Sequence, residues 1–292
     1  MHYNFSSFFD LKNIFLNENL AIEYLIEKNI IFSNWKCSCG YICVPNVQCK
    51  KYRCYAKKCR KSISIFKNTF FYKSKLKVND IMHLAYFWLC ESSSLCAEKY
   101  FGFSDKTIAY YFKHFRELVS DSLDNQDFKI GGQDIIVQID ESKFGRRKYN
   151  RGHRVEGVWI FGGVEMTNER KVFLVNVPDR SEETLLRYID AHIAPGSIII
   201  SDMWRGYLNI ESKLLLRHYT VNHSIEFVNS NTGANTNMIE GTWSGVKRKI
   251  PVRKRTESAI NLHLLEFVWR RKNVNNLWDG FINALNDVEY LN

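Results

Sequence analysis

The sequence predicts an α/β domain preceded by a small, basic, cysteine-rich module and a run of helices. Three observations carry this prediction. After residue 130, short apolar runs of strand type alternate with helical ones. Six of the eight cysteines fall between residues 36 and 77. Between them, over 78–122, apolar residues recur at helical spacing.

The bulk numbers set the frame. The chain has 292 residues, of which 45% are hydrophobic, enough for two or three domains with a large core. Its net charge of +10 and pI near 9.1 favour a polyanionic partner. No apolar run reaches the roughly 18 residues that a spanning helix needs, so no membrane partner is expected. MHYNFSSFFDLKN lacks the basic stretch and apolar core of a secretory signal. An intracellular protein is therefore expected, with its cysteines as thiols or metal ligands rather than disulfides.

Taken in order, residues 1–34 read as a helical lead-in, with a helix near 18–30. Residues 35–77 form the basic module: from Lys36 to Lys77 there are twelve Lys or Arg and no Asp or Glu. Phosphate contact is the simplest reason for such a bias. Within it, Cys37-x-Cys39-Gly40 and Cys54-x4-Cys59 suggest a four-thiolate zinc ribbon. The usual knuckle has two residues between its cysteines, and only Ser38 stands here, which leaves Cys43 or Cys49 as alternatives to Cys37. Cys90 and Cys96 read as core or free thiols. Residues 78–128 follow as helix, break, short helix, the turn Phe101-Gly102-Phe103 and a helix capped by Ser104, the order of a helix-turn-helix, with a plain three-helix bundle as the alternative.

Residues 129–292 form the α/β domain. Strands are expected at 135–141, 155–164 and 171–177. A helix capped by Ser181 follows over 181–193, then a strand at 197–202, a helix at 204–216 and a strand at 219–222. Helices from about 237 finish the chain. Three meandering strands, then helix, strand, helix, strand and helices, is the order of an RNase H-like domain.

Two acids end strands. Asp140 closes IVQID and Asp202 closes SIIISD. Alternation puts Asp140 on the face of Ile136 and Gln138 and turns Glu141 to the other. A carboxylate at the tip of a buried strand needs a hydrogen-bond partner or a metal. Asp202 could also cap the segment after it, but two such tips in one sheet lie close together. Glu240 opens the helical stretch 237–247, with Lys247 two turns on along the same face. Two carboxylates about 4 Å apart repel by roughly 4 kcal/mol at an effective dielectric of 20. Divalent cations relieve this, and oxygen ligands favour Mg²⁺ or Mn²⁺. Two such ions can activate a water or a 3′-OH and steady the leaving oxygen of a phosphodiester.

The basic residues Lys143, Arg146, Arg147, Lys148, Arg151, His153 and Arg154 fill the connection between the first two strands, as a clamp on DNA backbone would. Lys247, Arg248 and Lys249, with Arg253, Lys254 and Arg255, put six bases in nine residues, for DNA contact, nuclear localisation or both. His223, after the last strand, is a second-rank candidate for contact with metal, DNA or the scissile phosphate, with a hydrogen-bonded structural histidine as the alternative.

At these residues the sequence resembles the Merlin family of DDE transposases and related bacterial insertion sequences. The matching stretches are IDESKFGRRKYNRGHRVEGVWIFGGVE (139–165), IIISDMWRGY (198–207), VNHS (221–224) and NTGANTNMIEGTWSGVKRKIP (231–251), with RCYAKKCRKSISIFKNTFFYKSKL (53–76) upstream. The resemblance implies a catalytic triad of Asp140, Asp202 and Glu240, with 37 residues between the last two. It implies cleavage at terminal inverted repeats of double-stranded DNA and joining of the 3′-OH to target DNA, with two Mg²⁺ or Mn²⁺ ions. A homodimer or larger synaptic complex is implied, in the nucleus of a eukaryotic host or otherwise at the nucleoid. The alternatives are a catalytically silent DNA-binding protein of the same fold and an RNase H-like nuclease without strand transfer.

Overall fold

A computed structural model describes residues 6–145, 157–222 and 233–290. Its contacts divide the chain into two units, Met1–Ser122 with Asn273–Asn292, and Leu123–Lys272.

The first unit opens with α1 (Phe8–Leu16) and α2 (Glu18–Glu27). The lead-in is thus two helices. The break between them is Asn17, which ends α1 and caps α2 by accepting the amides of Asn19 and Leu20. The cysteine-rich module follows as the strand pair β1 (Trp35–Lys36) and β2 (Ile42–Cys43), then a three-stranded sheet of β3 (Pro45–Asn46), β4 (Lys51–Arg53) and β5 (Ser62–Ser64). The helices α3 (Val78–Leu89), α4 (Ser94–Phe101) and α5 (Asp105–Asp121) come next. Gly102 ends α4 at φ +68°, and the Ser104 hydroxyl accepts the Thr107 amide to start α5.

The second unit is a five-stranded sheet between helices. A separate two-stranded parallel sheet joins β6 (Ile130–Gly131) and β10 (Ile193–Ala194). The five-stranded sheet uses β7 (Ile136–Phe144), β8 (Val158–Glu165), β9 (Val172–Val177), β11 (Ile198–Asp202) and β12 (Arg217–Val221), in the order β12-β11-β7-β8-β9. β7, β8 and β9 form an antiparallel meander, and β11 and β12 run parallel to β7. α6 (Glu182–His192) and α7 (Ile210–Leu214) cover one face, where Val137, Ile139, Phe161, Ile199, Leu185, Ile189, Tyr207 and Ile210 pack together. α8 (Asn237–Lys249) and α9 (Glu257–Lys272) cover the other, against Phe144, Ile160, Val164 and Leu174.

Three expectations are corrected. Asp140 does not end its strand: β7 runs on to Phe144 because pairing with β8 continues to Val158, so the acid sits mid-strand opposite Gly162. Residues 204–216 do not form one helix: a 3₁₀ turn at Arg205–Tyr207 precedes α7. Asn209, at φ −103° and ψ 16°, interrupts the helical path, and Leu215 ends α7 in the left-handed region. The final helix, α10 (Leu277–Asp287), packs in the first unit rather than with the α/β domain. There Trp278 meets Phe15 edge-on at 5.5 Å and donates its indole N–H to the Tyr24 hydroxyl. Phe281 meets Phe115, also at 5.5 Å.

Candidate active site and thiolate centre

Strand alternation decides which side chains can meet. On β7, Val137, Ile139 and Glu141 face the α6 layer, and Gln138, Asp140 and Phe144 face α8. On β11, Ile199 faces the α6 layer, so Asp202 shares the face of Asp140. The parallel register pairs Ile200 with Gln138. Two residues further along each strand, Asp202 comes level with Asp140 on neighbouring strands, which run about 4.8 Å apart. The like charge of Asp202 is one of the influences that raise the Asp140 carboxyl.

α8 brings in the third acid. Glu240 lies in its first turn, exposed, and accepts the Thr236 hydroxyl at 2.9 Å. One turn on, Trp243 donates its indole N–H to Asp140 Oδ2 at 2.9 Å. The ring fits against the sheet because Asp140 pairs with Gly162 on β8. A Cβ at Gly162 would stand 2.9 Å from the Trp243 ring, 2.8 Å from Leu174 and 3.1 Å from the Phe173 carbonyl. Gly162→Ala is expected to cost about 1–3 kcal/mol through this overpacking. A urea titration checks it, and an unchanged midpoint would remove the close packing from the argument.

Burial pushes the Asp140 carboxyl up to about 7, helped by the charges of Glu141 and Asp202 and opposed by the Trp243 indole. A half-buried acid crowded by others suits a divalent cation, which would favour its ionised form. The three carboxylates do not close up as a trio. Among the described residues, the one set of three or more His, Cys, Asp or Glu ligand atoms within 4.8 Å of one another is made of cysteines. One oxygen of Asp202 also accepts the Trp204 amide at 2.9 Å, so this residue does hold the turn after its strand.

Glu141 has a different task. Arg180 donates to it at 3.0 Å and Tyr207 donates its hydroxyl to the other oxygen. The Arg180 guanidinium lies between the rings of Trp159 and Trp204, 4.0 and 4.3 Å from their centroids. Burial raises the Glu141 carboxyl, and these two donors pull it back. A carboxylate satisfied in this way is a structural partner rather than a spare ligand.

Of the predicted DNA contacts, Lys143 is exposed on β7, its ammonium 5.2 Å from the Trp159 centroid. Lys247 is half-buried beside Phe144, 5.5 Å from the ring centroid. Burial lowers its pKa, and the Asp140 charge works against that. Arg248 is exposed. Lys249 is half-buried, under the influence of Arg270 and Glu266 on α9. Arg255 donates to the Lys247 and Ile250 carbonyls at the end of α8. The 247–255 segment is thus partly folded into the domain rather than a free basic string. Arg146, Arg147, Lys148, Arg151, His153, Arg154 and His223 lie outside the described residues.

The cysteine centre is compact. Cys37, Cys39, Cys54 and Cys59 bring their sulfurs within 4.8 Å of one another. Two pairs, Cys37 with Cys59 and Cys39 with Cys54, stand at 3.5 and 3.4 Å. Tetrahedral zinc, with Zn–S bonds of about 2.3 Å, needs sulfurs about 3.8 Å apart, so the set fits that ion. The one-residue spacing at Cys37-x-Cys39 is accommodated by a turn in which Gly40, at φ +87°, donates to the Cys37 carbonyl. Cys43 is buried outside the set and Cys49 is exposed outside it.

Gln138, Gly162 and Trp243 were not singled out from sequence. The signals were present: Gln138 two residues before Asp140 on one strand face, and Trp243 three after Glu240 on one helix face.

Comparison with known proteins agrees with this architecture. Residues 130–272, β6 through α9, match the ISXO2-like transposase domain. An uncharacterized transposase-like protein of Haemophilus influenzae is 30% identical over 104 residues, which is 35% of this chain and 82% of that protein. The chain belongs to this transposase family. Membership suggests a DNA-cleaving enzyme and implies binding of DNA and use of divalent metal.

Proposed function

We propose that the protein is a DNA transposase that cuts double-stranded DNA at terminal inverted repeats and joins the freed 3′-OH to target DNA. The second unit is read as an RNase H-like domain. One observation carries the reading: two acids on adjacent strands, Asp140 in the middle of β7 and Asp202 at the end of β11, stand level on one face of the sheet, beneath the helix whose first turn bears Glu240. These three side chains would hold two Mg²⁺ or Mn²⁺ ions, which supply an activated oxygen nucleophile and stabilise the leaving oxygen when bound. Trp243 fixes one oxygen of Asp140. Lys247 and Arg248, further along α8, would meet the phosphate backbone on either side of the cut. Lys143, exposed on the opposite face of β7, would meet the backbone separately.

The cysteine module, with its zinc ion, and the α4–α5 pair as a helix-turn-helix would bind the terminal repeats. Holding two ends requires at least a homodimer. Glu at the third acidic position, within NTGANTNMIEGTWSGVKRKIP, favours a Merlin-type element, acting in the nucleus of a eukaryotic host or at the nucleoid of a bacterial one.

Incubation of the protein with Mn²⁺ and an oligonucleotide bearing a terminal repeat tests this. Wild type is expected to nick at the repeat and join the 3′ end to a target, and Asp202→Asn to do neither. Equal inactivity of both across several ends would leave a silent DNA-binding protein. Nicking without joining would leave a nuclease.

A further inference from the structure

We infer that Gln138 positions Glu240 for metal binding by acting as the N-terminal cap of α8 from a neighbouring strand. This rests on the proposed reading of Asp140, Asp202 and Glu240 as metal ligands.

The first turn of a helix leaves its amides without partners inside the helix, and a side chain at the cap usually accepts one or two of them. The residue at that place in α8, Thr236, makes no such bond. Its hydroxyl donates to Glu240 Oε1 instead. The missing acceptor comes from β7. Gln138 is fully buried, and its Oε1 accepts the amides of Met238 at 2.9 Å and Ile239 at 3.0 Å. The rest of the amide group is also used: Nε2 lies 3.3 Å from Asn235 Oδ1 and 3.3 Å from Met166 Sδ. Asn235 Oδ1 in turn accepts the Asn237 amide.

The consequence is one of register. α8 is pinned to β7 at two successive positions on one strand face. Gln138 takes the first turn and Asp140 takes Trp243 in the next. Glu240 lies between those two anchors. Without Gln138, two amides would be left unpaired where water is excluded, and the first turn of α8 would fray or shift. The Trp243 anchor would remain, so the helix as a whole would stay, and Glu240 would lose its fixed place relative to Asp140. A structural cap alone would change stability. A cap that places a ligand must also change metal affinity.

The experiment measures Mn²⁺ binding by calorimetry, and amide hydrogen exchange of a peptide spanning 234–243, in the full-length protein. Gln138→Met keeps size and removes the acceptor; Gln138→Glu keeps the acceptor. Leu264→Ala, in the α9 packing layer, serves as a control for destabilisation alone. Gln138→Met is expected to weaken Mn²⁺ binding at least tenfold and to speed exchange at 234–243. Gln138→Glu is expected to restore slow exchange, and Leu264→Ala to leave Mn²⁺ affinity within twofold of wild type. If Gln138→Met does not fold, Asn235→Ala, which removes the partner that orients the amide group, is expected to weaken Mn²⁺ binding about threefold. Wild-type Mn²⁺ affinity in Gln138→Met, or in Asn235→Ala where that variant stands in, overturns the inference. So does an equal loss in Leu264→Ala. Absence of Mn²⁺ binding in wild type, or its survival in Asp140→Asn, overturns the underlying metal-site reading instead.

Discussion

Replacing Cys54 with serine is expected to strip a bound zinc ion and unfold the module at 35–65. The reason is the scale of that module. Its strands are two or three residues long, and its buried side chains are few: Cys37, Cys43, Cys54, Tyr52 and Ile65. So small a core cannot offset the entropy of ordering thirty residues, and a metal crosslink is the usual remedy. Structural zinc contributes about 10–16 kcal/mol of apparent binding free energy in zinc-finger peptides near neutral pH. Losing one of four thiolates should remove most of that. The geometry also sorts the cysteines. Cys49→Ser, outside the cluster, is expected to keep one zinc per chain, whereas Cys39→Ser and Cys59→Ser should lose it. Metal analysis of the purified variants checks the stoichiometry. Limited trypsin digestion checks the fold, because Lys57, Lys58, Arg60 and Lys61 lie within the cluster's second half. A zinc-free wild type with slow cleavage at those sites would defeat the expectation.

The cysteine set was legible because cysteine is scarce and its spacing is diagnostic, even with one residue fewer between Cys37 and Cys39. The sheet was legible because β7 and β11 open on apolar runs that lead to an acid; that β7 continues past Asp140 to Phe144 was not, since Glu141-Ser142-Lys143 is polar and owes its strand to pairing with β8. What failed to show were matters of partner and of path. Trp278, Phe281 and Leu285 announce a buried helix, yet nothing in their spacing says that it returns to pack in the unit containing Phe15 and Phe115. Tyr207 and Ile210 are three apart in either a continuous helix or a 3₁₀ turn followed by a short one. The break at Asn209 goes with the close approach of Gly206, where a Cβ would stand 2.9 Å from Leu185. α1 was missed although Ser7 and Asp10 form a capping box ahead of it. Gln138 was hidden for a different reason. A buried glutamine can serve any backbone within reach, and the amides it serves are a hundred residues away.

Asp140→Asn is expected to have effects of opposite sign on activity and on stability, and the opposition is the informative part. Removing the carboxylate from a metal-dependent strand-cleavage site should lower the cleavage rate by at least about 10³-fold, or about 4 kcal/mol of barrier. Stability in buffer free of divalent cations should move the other way. Asp140 is pushed up to about 7 in the folded chain from an ordinary value of 3.8. Between those values the folded state holds a proton that the unfolded chain has released, so stability falls as pH rises. The contribution is fully present below 3.8 and lost as pH passes about 7, beyond which the ionised acid costs the fold on the order of a few kcal/mol. Asparagine carries no charge to bury and retains an oxygen to accept the Trp243 indole. The variant should therefore melt at a higher temperature than wild type at pH 8 and at nearly the same temperature at pH 4. Adding Mg²⁺ should close the gap from the wild-type side alone, since an ion that binds only the folded, ionised site stabilises it by mass action. Melting profiles of both proteins across pH 4–8, with and without Mg²⁺, check all three statements. Profiles that run parallel throughout would mean that Asp140 is an ordinary sheet acid. A Mg²⁺ response equal in both would move the metal to other ligands. The predicted pattern is specific because burial alone would give the pH slope, and catalysis alone would give the lost rate. Only a carboxylate held ready for a cation gives both, together with a Mg²⁺ response that vanishes in the same variant.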